Sequence, residues 1–203
     1  MKRLALIAHG LHWKRWNEKS RFDSLSKNYD LHYYITESQG DAFEFAQQCS
    51  CAGFEYLISY GGDGTLHQVI NGMLSSGMPG EELPKIIILP RGSGNDYVRT
   101  LSTCESVDDL LELLDHGQSK GVDVGCVEFP NHPSKHYFIN IADAGLGGDV
   151  AQRLGRFRLG ISARAMYHWS ILRSLMTYRA REIKIVMDDH EWQGRALSVV
   201  VAN

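Results

Sequence analysis

The first half of the chain alternates short apolar runs with longer amphipathic segments. Four short runs are rich in β-branched or aromatic residues and are bounded by chain breakers, which predicts strands at 4–8, 33–35, 56–60 and 86–89. Between them, apolar positions recur with a helical period at 14–27, 41–52, 65–76 and 106–116. Strands that alternate with helices predict an α/β fold, a parallel sheet in a three-layer arrangement, with ligands bound at the carboxyl ends of the strands.

The pattern changes near Gly121. Strand-like runs follow at 122–129, 136–142, 182–187 and 196–202, with glycine-rich joints and an arginine-rich segment of helical character among them. We therefore expect an α/β domain at 1–120 and the start of a β-rich sandwich domain at 121–203. The final run is apolar and nothing follows that would cover it, so we expect a truncated chain and an incomplete sandwich.

The composition argues against a membrane-spanning protein, a disulfide-bonded scaffold and a nucleic-acid-binding protein. The chain has 203 residues, of which 43% are hydrophobic and 22% charged, as in ordinary globular domains. Its apolar runs are far shorter than the roughly 20 residues that cross a bilayer. The four cysteines show no Cys-x-x-Cys spacing, which favours reduced thiols and a cytoplasmic location. A net charge of −3 argues against a nucleic-acid partner.

One stretch departs from this acidic balance. Residues 151–181 contain seven arginines and no Asp or Glu, interspersed with Trp169, Leu172, Leu175 and Met176. Such a helix suits an anionic membrane surface, which would make the protein peripheral at the membrane. Alternatively, it is a domain-packing helix whose arginines are solvated or pair with acidic residues of the first domain.

Two loops at the predicted functional edge carry the chemistry. Residues 61–65 read Gly-Gly-Asp-Gly-Thr between a strand and a helix, where glycines let backbone N–H groups approach a phosphate at the positive helix end. A carboxylate there can hold Mg²⁺ or accept a proton from an attacking hydroxyl, and Thr65 can cap the helix or donate to a phosphate oxygen. Alternatively, the loop is a plain turn with Asp63 as the helix N-cap.

The second loop, residues 90–96, reads Pro-Arg-Gly-Ser-Gly-Asn-Asp after another buried strand. Ser93 can donate to ribose or phosphate, while Asn95 and Asp96 begin a short helix. Alone, this loop is equally explained as a turn with an N-cap. Two glycine-rich loops on the same edge can, however, enclose one nucleotide, and together they make a chance match the weaker explanation.

The two motifs, in this order and at this separation, resemble the nucleotide-binding motifs of the diacylglycerol kinase catalytic domain family, which includes sphingosine, ceramide and bacterial lipid kinases. The resemblance extends to Asn71-Gly72, to residues 36–42, to the Asp-x-Gly strand around Asp123 and to residues 138–141. One departure lies after the first strand, where the family has Asn-Pro-x-x-Gly. Here His9 replaces the asparagine, and Lys14 remains able to reach a phosphate.

The resemblance implies an NAD kinase/diacylglycerol kinase-like fold, ATP and Mg²⁺ as cofactors, and a membrane lipid as substrate. It implies a metal near Asp63 and Asp123, with Asp63 and Lys14 as catalytic residues. It implies nucleotide contacts from Thr36, Gly61, Gly62, Asp63, Gly64, Thr65, Leu66, His67, Gly92, Ser93, Gly94, Asn95 and Asp96.

The expected reaction is transfer of the γ-phosphoryl group of ATP to a hydroxyl of diacylglycerol or a related lipid. The proton acceptor is Asp63 or an acid beyond Asn203, so a fragment could bind nucleotide without turnover. NAD kinases and sugar-phosphate kinases also use Gly-Gly-Asp-Gly, but the second loop favours the lipid branch. A regulatory module that binds nucleotide without catalysis is the other alternative, and self-association into a homo-oligomer stays open.

Overall fold

A computed structural model of the protein describes residues 1–11, 13, 18–92, 94–100, 104, 106–156 and 163–203. The chain forms two compact units, Met1–Ile139 and Asn140–Asn203. The strands that follow residue 120 therefore begin within the first unit. The domain boundary expected at residue 120 remains a prediction.

The first unit is built on a parallel sheet of four strands. These are β1 (Arg3–Ala8), β2 (Asp30–Ile35), β3 (Tyr56–Gly61) and β4 (Lys85–Pro90), in the order β2-β1-β3-β4. All four predicted strands are confirmed, each with slightly wider bounds. Ala8 lies opposite Ile35 on one side and Tyr60 on the other, so the carboxyl ends of the three strands are level.

Both faces of this sheet are buried, as the continuous apolar runs require. On one face, Ala5 and Ile7 pack in a cluster with residues of α1 (Asp41–Cys51) and α2 (Asp63–Leu74). On the other, Leu4 and Leu6 pack with residues of α3 (Val107–His116). Gly72 allows α1 and α2 to approach closely, because a Cβ there would overlap the backbone of Phe43.

The prediction of one α-helix at 14–27 is wrong for residues 18–27, the part that the structure describes. The structure has two short 3₁₀ helices, Glu18–Phe22 and Leu25–Lys27, and residues 14–17 lie outside the described ranges. Phe22, Leu25 and Tyr29 are buried at spacings of three and four, which imitates an α-helical period. The intervening Asp, Ser and Asn side chains compete for backbone hydrogen bonds and favour turns.

A β-hairpin completes the first unit. It consists of β5 (Gly125–Phe129) and β6 (His132–Phe138), with a bulge between Val127 and Phe129. The single strand expected at 136–142 is wrong, because β6 ends at Phe138 and β7 (Ile141–Gly145) starts a different sheet.

The second unit contains β7, two helices and three further strands. The helices are α4 (Leu146–Arg156) and α5 (Ala163–Thr177), and the strands are β8 (Arg181–Met187), β9 (His190–Ala196) and β10 (Ser198–Ala202). β7 pairs with β10, and β8 pairs with β9 through a turn in which Asp188 has a φ of 47°. The sandwich expected here remains a prediction.

Candidate functional site

The strand order places a crevice at the carboxyl edge of the sheet. β1 lies between β2 and β3, so the strands that follow β1 are added first on one side of it and then on the other. α/β proteins commonly bind ligands at such a switch point in strand order. Hydrogen bonds continue beyond the strands. Thr36 N donates to Ala8 O at 2.9 Å, His9 N to Tyr60 O at 3.0 Å, and Arg91 N to Gly61 O at 2.7 Å. The loops that leave the four strands are thereby held side by side.

The two glycine-rich loops meet backbone to backbone. A Cβ built on Gly92 would lie 2.5 Å from the Gly62 Cα, and one built on Gly62 would lie 3.0 Å from the Gly92 Cα. Real Cβ atoms essentially never lie 2.5 Å from a backbone atom, so Gly92 requires glycine at this separation, and a Cβ on Gly62 would be tight against the same backbone. The predicted convergence of the two loops on one edge is therefore present in the structure.

The carboxylate of the first loop lies against the second. A Cβ built on Gly94 would be 2.9 Å from Asp63 Oδ2 and 3.8 Å from Asp96 Oδ2, so these two oxygens are at most about 7 Å apart. Both aspartates are exposed. Within the described ranges, no group of three or more His, Cys, Asp or Glu side chains could hold a metal. Mg²⁺ keeps several waters and binds through one or two carboxylates plus substrate phosphates, so Asp63 and Asp96 are candidate ligands by their chemistry.

The first loop also forms the N-terminus of α2. Gly62 is the N-cap, with extended backbone, and its carbonyl accepts from the N–H groups of Thr65 at 3.0 Å and Leu66 at 3.1 Å. Asp63 is therefore the first helical residue and not the cap. A Cβ on Gly64 would meet nothing within 4 Å, so the helix end faces open space there. This arrangement presents first-turn amides, at the positive end of the helix, to an anion.

The next side chains of α2 point away from this opening. Thr65 is buried and packs over Gly61, where any Cβ would overlap it. Leu66 is 4% exposed and belongs to the apolar interior. Thr65 and Leu66 therefore hold the loop against its own strand, and the nucleotide contacts predicted for them stay predictions.

Asn95 closes the second loop on itself. Its Oδ1 accepts from Gly92 N at 3.0 Å, and its Nδ2 donates to Gly92 O at 2.9 Å. Asn95 has a φ of 52°, a left-handed conformation that asparagine tolerates better than most residues. The loop is therefore held in shape by one side chain.

Arg91 anchors the start of the same loop on the sheet. Its Nε donates to the hydroxyl of Tyr60 at 3.0 Å, and its guanidinium lies 5.1 Å from the centre of that ring. Tyr60 is fully buried. Arg91 was not among the predicted site residues, although its place directly after a buried strand was a usable signal.

Thr36 stands where β2 meets the loop after β1. Its Oγ1 accepts from Gly10 N at 3.1 Å, and a Cβ on Gly10 would overlap the Thr36 carbonyl. In the loop that follows, Asp41 Oδ2 accepts from Glu37 N at 2.7 Å and Ser38 N at 2.8 Å. Hydrogen bonds from the Ser38 side chain and these amides hold the pKa of Asp41 below its usual value.

The far end of α2 is joined to the hairpin. Asn71 Nδ2 donates to Tyr137 O at 2.9 Å, and Tyr137 N donates to Asn71 Oδ1 at 2.8 Å. One turn earlier, the pKa of His67 is lowered by burial and by the nearby His136. Asn71 belongs to the predicted Asn-Gly motif, but no local pattern signalled a partner 66 residues away.

The roles of three further predicted residues stay predictions. Lys14 and Ser93 lie outside the described residues. Asp123 is exposed in the segment before β5, and its nearness to Asp63 and a metal stays a prediction. The residues that the structure does bring together are Gly62, Asp63, Gly92, Gly94, Asn95 and Asp96.

Comparisons with known proteins agree with this arrangement. A family model of the diacylglycerol kinase catalytic domain matches residues 10–127, which include both loops. A "probable lipid kinase YegS-like" protein of Yersinia enterocolitica is 30% identical over 173 residues, or 85% of this chain and 56% of that relative. The chain thus spans about half the length of this curated relative.

Solved structures show the same fold. A candidate diacylglycerol kinase from Bacillus anthracis Sterne matches with a TM-score of 0.69 and 26% identity, over 100% of this chain and 66% of that one. A second structure of such a protein from the same organism matches with a TM-score of 0.67 and 26% sequence identity, over 65% of its length. Because the family model covers more than half of the residues and both of its loops meet here as one site, the chain belongs to the diacylglycerol kinase catalytic domain family.

Proposed function

We propose that the protein is an ATP-dependent lipid kinase that transfers the γ-phosphoryl group of ATP to a hydroxyl of diacylglycerol or a related membrane lipid. The observation that carries the proposal is the contact between Gly62 and Gly92, with the Asp63 carboxylate beside Gly94 at the same junction. Two backbone-lined loops and one acid therefore meet at one junction. Family membership supports the choice of a lipid over other phosphoryl acceptors.

Each part of the opening has a task in this reaction. The first-turn amides of α2 bind phosphate oxygens, and the open space at Gly64 lets them approach. Asp63, with Asp96 beside it and with Asp123 as the sequence predicts, would hold Mg²⁺, which neutralises charge on the phosphates when it is bound. In this proposal Asp63 also accepts the proton of the lipid hydroxyl. Since phosphoryl transfer depends chiefly on positioning and charge, such a site needs little further chemistry.

A kinase assay on the full-length protein tests the proposal. Wild-type protein is mixed with vesicles that contain diacylglycerol, radiolabelled ATP and Mg²⁺, and labelled lipid is measured. We expect Asp63→Ala to lower turnover by at least about 100-fold, the scale of loss for a positioned acid-base group. Asp108→Asn is the matched control, because Asp108 is likewise an exposed aspartate in the first turn of a helix.

Three outcomes would reject the proposal. The first is no Mg²⁺-dependent lipid phosphorylation by wild-type protein, and the second is full activity of Asp63→Ala. The third is faster turnover of NAD or a sugar phosphate than of any lipid, which would assign the site to a soluble acceptor. Tight ATP binding without turnover of any acceptor would indicate a regulatory module.

We also propose that α5 makes a transient contact with an anionic membrane. Among the positions of α5 whose burial is described, the buried ones are small, Ser170 and Ser174, whereas Trp169, Leu172 and Met176 are 57%, 51% and 79% exposed. Those three residues follow helical spacing and so share one face. The surrounding residues 151–181 contain seven arginines and no acid, and each arginine near an anionic surface contributes about 1 kcal/mol.

Vesicle co-sedimentation of the full-length protein tests this contact. We expect binding to vesicles that contain phosphatidylglycerol, weaker binding to phosphatidylcholine alone, and loss of binding in Trp169→Ser. Trp192→Ser is the control, because Trp192 is similarly exposed but lies on β9. Equal sedimentation of Trp169→Ser and wild type would reject the contact. So would a dimer in light scattering that Trp169→Ser dissociates, since a second copy would then cover this face.

A further inference from the structure

Asn71 fixes the β5–β6 hairpin to α2. Its side chain is only 6% exposed, and its amide is paired in both directions with the backbone of Tyr137, at 2.8 and 2.9 Å. The Nδ2 group also donates to His67 O at 2.9 Å. A buried amide is costly unless such partners satisfy it. The three hydrogen bonds therefore make Asn71 a specific link between a helix and a strand.

The pairing uses the outer edge of the hairpin. Tyr137 lies opposite Cys126 of β5, and both of its backbone groups are bonded to Asn71. In an antiparallel pair, alternate residues direct their N–H and C=O groups away from the partner strand. The Asn71 amide thus takes the place of a third strand at this point, and it pins the hairpin to the helix by two hydrogen bonds.

Each of the two linked elements leads to an aspartate of the predicted metal site. Asp63 begins α2 eight residues before Asn71, roughly 12 Å along a helix. Asp123 precedes Cys126 by three residues, roughly 10 Å along an extended chain. The Asn71–Tyr137 pair therefore joins the two segments that carry these carboxylates.

We infer that Asn71 is a positioning residue that sets Asp123 relative to Asp63 and thereby the Mg²⁺ requirement of the site. The inference rests on the proposed kinase function. Asn71 itself touches no reacting atom. It acts through the hairpin, as outer residues of metal sites do when they orient the ligands, and their loss commonly lowers metal affinity by about 10- to 100-fold.

Two variants and a control test this role in the full-length protein. Asn71→Ala removes all three hydrogen bonds. Asn71→Asp keeps the acceptor for Tyr137 N but loses the two donated bonds. Gln47→Ala is the matched control, because Gln47 Nε2 also donates to a backbone carbonyl, that of Ser75 just after α2, at 2.9 Å without touching the hairpin.

The first readout is the Mg²⁺ concentration that gives half-maximal lipid phosphorylation. We expect it to rise at least about tenfold in Asn71→Ala, less in Asn71→Asp, and not at all in Gln47→Ala. The KM for ATP at saturating Mg²⁺ should stay within about twofold of the wild-type value, which a general loss of structure would not permit. An unchanged Mg²⁺ dependence in folded Asn71→Ala overturns the inference, and Asn71→Asp decides by the same criterion if Asn71→Ala does not fold.

The second readout is independent of activity. Amide hydrogen exchange at Tyr137 should accelerate in Asn71→Ala and Asn71→Asp, whereas Gln47→Ala should leave it unchanged. If wild-type protein phosphorylates no lipid, the proposed function fails, but exchange and Mg²⁺-dependent ATP binding still test the link. Unchanged exchange at Tyr137 would reject Asn71 as the residue that holds the hairpin.

Discussion

At the scale of single residues, glycine meets two different requirements in the loops of the site. Gly62 and Gly92 are needed because their backbones touch each other, so a side chain at either position would collide within the protein. No described residue lies within 4 Å of a Cβ built on Gly64, so a side chain there would meet the proposed nucleotide and not the described part of the protein. The first requirement concerns folding and the second concerns binding.

These two requirements are separable by mutation. We expect Gly92→Ala to destabilise the protein by about 1–3 kcal/mol, the usual cost of forcing an extra carbon into a packed region. Gly64→Ala should leave thermal stability unchanged but weaken ATP binding by about tenfold, since its methyl group occupies the approach to the first-turn amides. Thermal unfolding and ATP titration measure the two effects.

Gly80→Ala serves as the control for this pair. Gly80 also borders open space but lies in a short 3₁₀ helix before β4, so neither stability nor ATP binding should change. Equal effects of Gly92→Ala and Gly64→Ala on stability would contradict the distinction drawn between the two positions.

At the scale of elements, α2 connects the site with the hairpin. Its first turn faces the opening, its buried side chains join the sheet, and its last turns hold β6 through Asn71. His67 lies between these regions. Burial and the nearby His136 lower the pKa of His67 below its ordinary value of 6.5, so protonation of His67 is harder in the folded protein than in the unfolded chain.

The position of His67 predicts a loss of stability in mild acid. Because its pKa is lower when folded, the unfolded state takes up the proton first as the pH falls below about 6.5. The contribution of His67 to the free energy of unfolding is therefore fully present above that pH. It declines as the pH falls, until the pH is below the pKa of His67 in the folded protein. We expect the midpoint of thermal unfolding to fall less between pH 7 and pH 5 in His67→Gln than in wild type. Parallel curves for the two proteins would contradict this expectation.

The elements most predictable from sequence are those whose burial is simple. Strands β3 and β4 are covered on both faces, so their apolar runs were unambiguous. β9 was missed because most of its residues are polar and exposed, so it contains no apolar run. The loop contact followed from two motifs on adjacent parallel strands, whereas the Asn71–Tyr137 pair depends on how distant segments pack and has no local signature.

At the scale of the whole molecule, the loops and their supporting sheet all belong to the unit Met1–Ile139. The exposed apolar face of α5 belongs to Asn140–Asn203. No helix within the described ranges is long and apolar enough to cross a membrane. The proposed nucleotide binding and the proposed membrane contact therefore concern different units of the chain.

This division predicts where ATP protects the chain. Binding at about 100 times the dissociation constant adds roughly 2.7 kcal/mol to the stability of the state that binds. We expect Mg²⁺-ATP to slow amide hydrogen exchange in peptides that contain residues 61–66 and 91–98, and to leave peptides from 140–203 unchanged. Protection confined to 140–203 would contradict the assignment, and EDTA provides the control for the metal.

The contact between Gly62 and Gly92 would also limit how the proposed nucleotide enters and leaves. Where side chains gate an opening, rotamer changes within nanoseconds are enough to clear it. Here neither residue has a side chain to rotate, and Asn95 and Arg91 hold the second loop to its own backbone and to the sheet. Widening this junction therefore requires a concerted backbone displacement, of the microsecond-to-millisecond kind that often makes product release the slowest step of turnover.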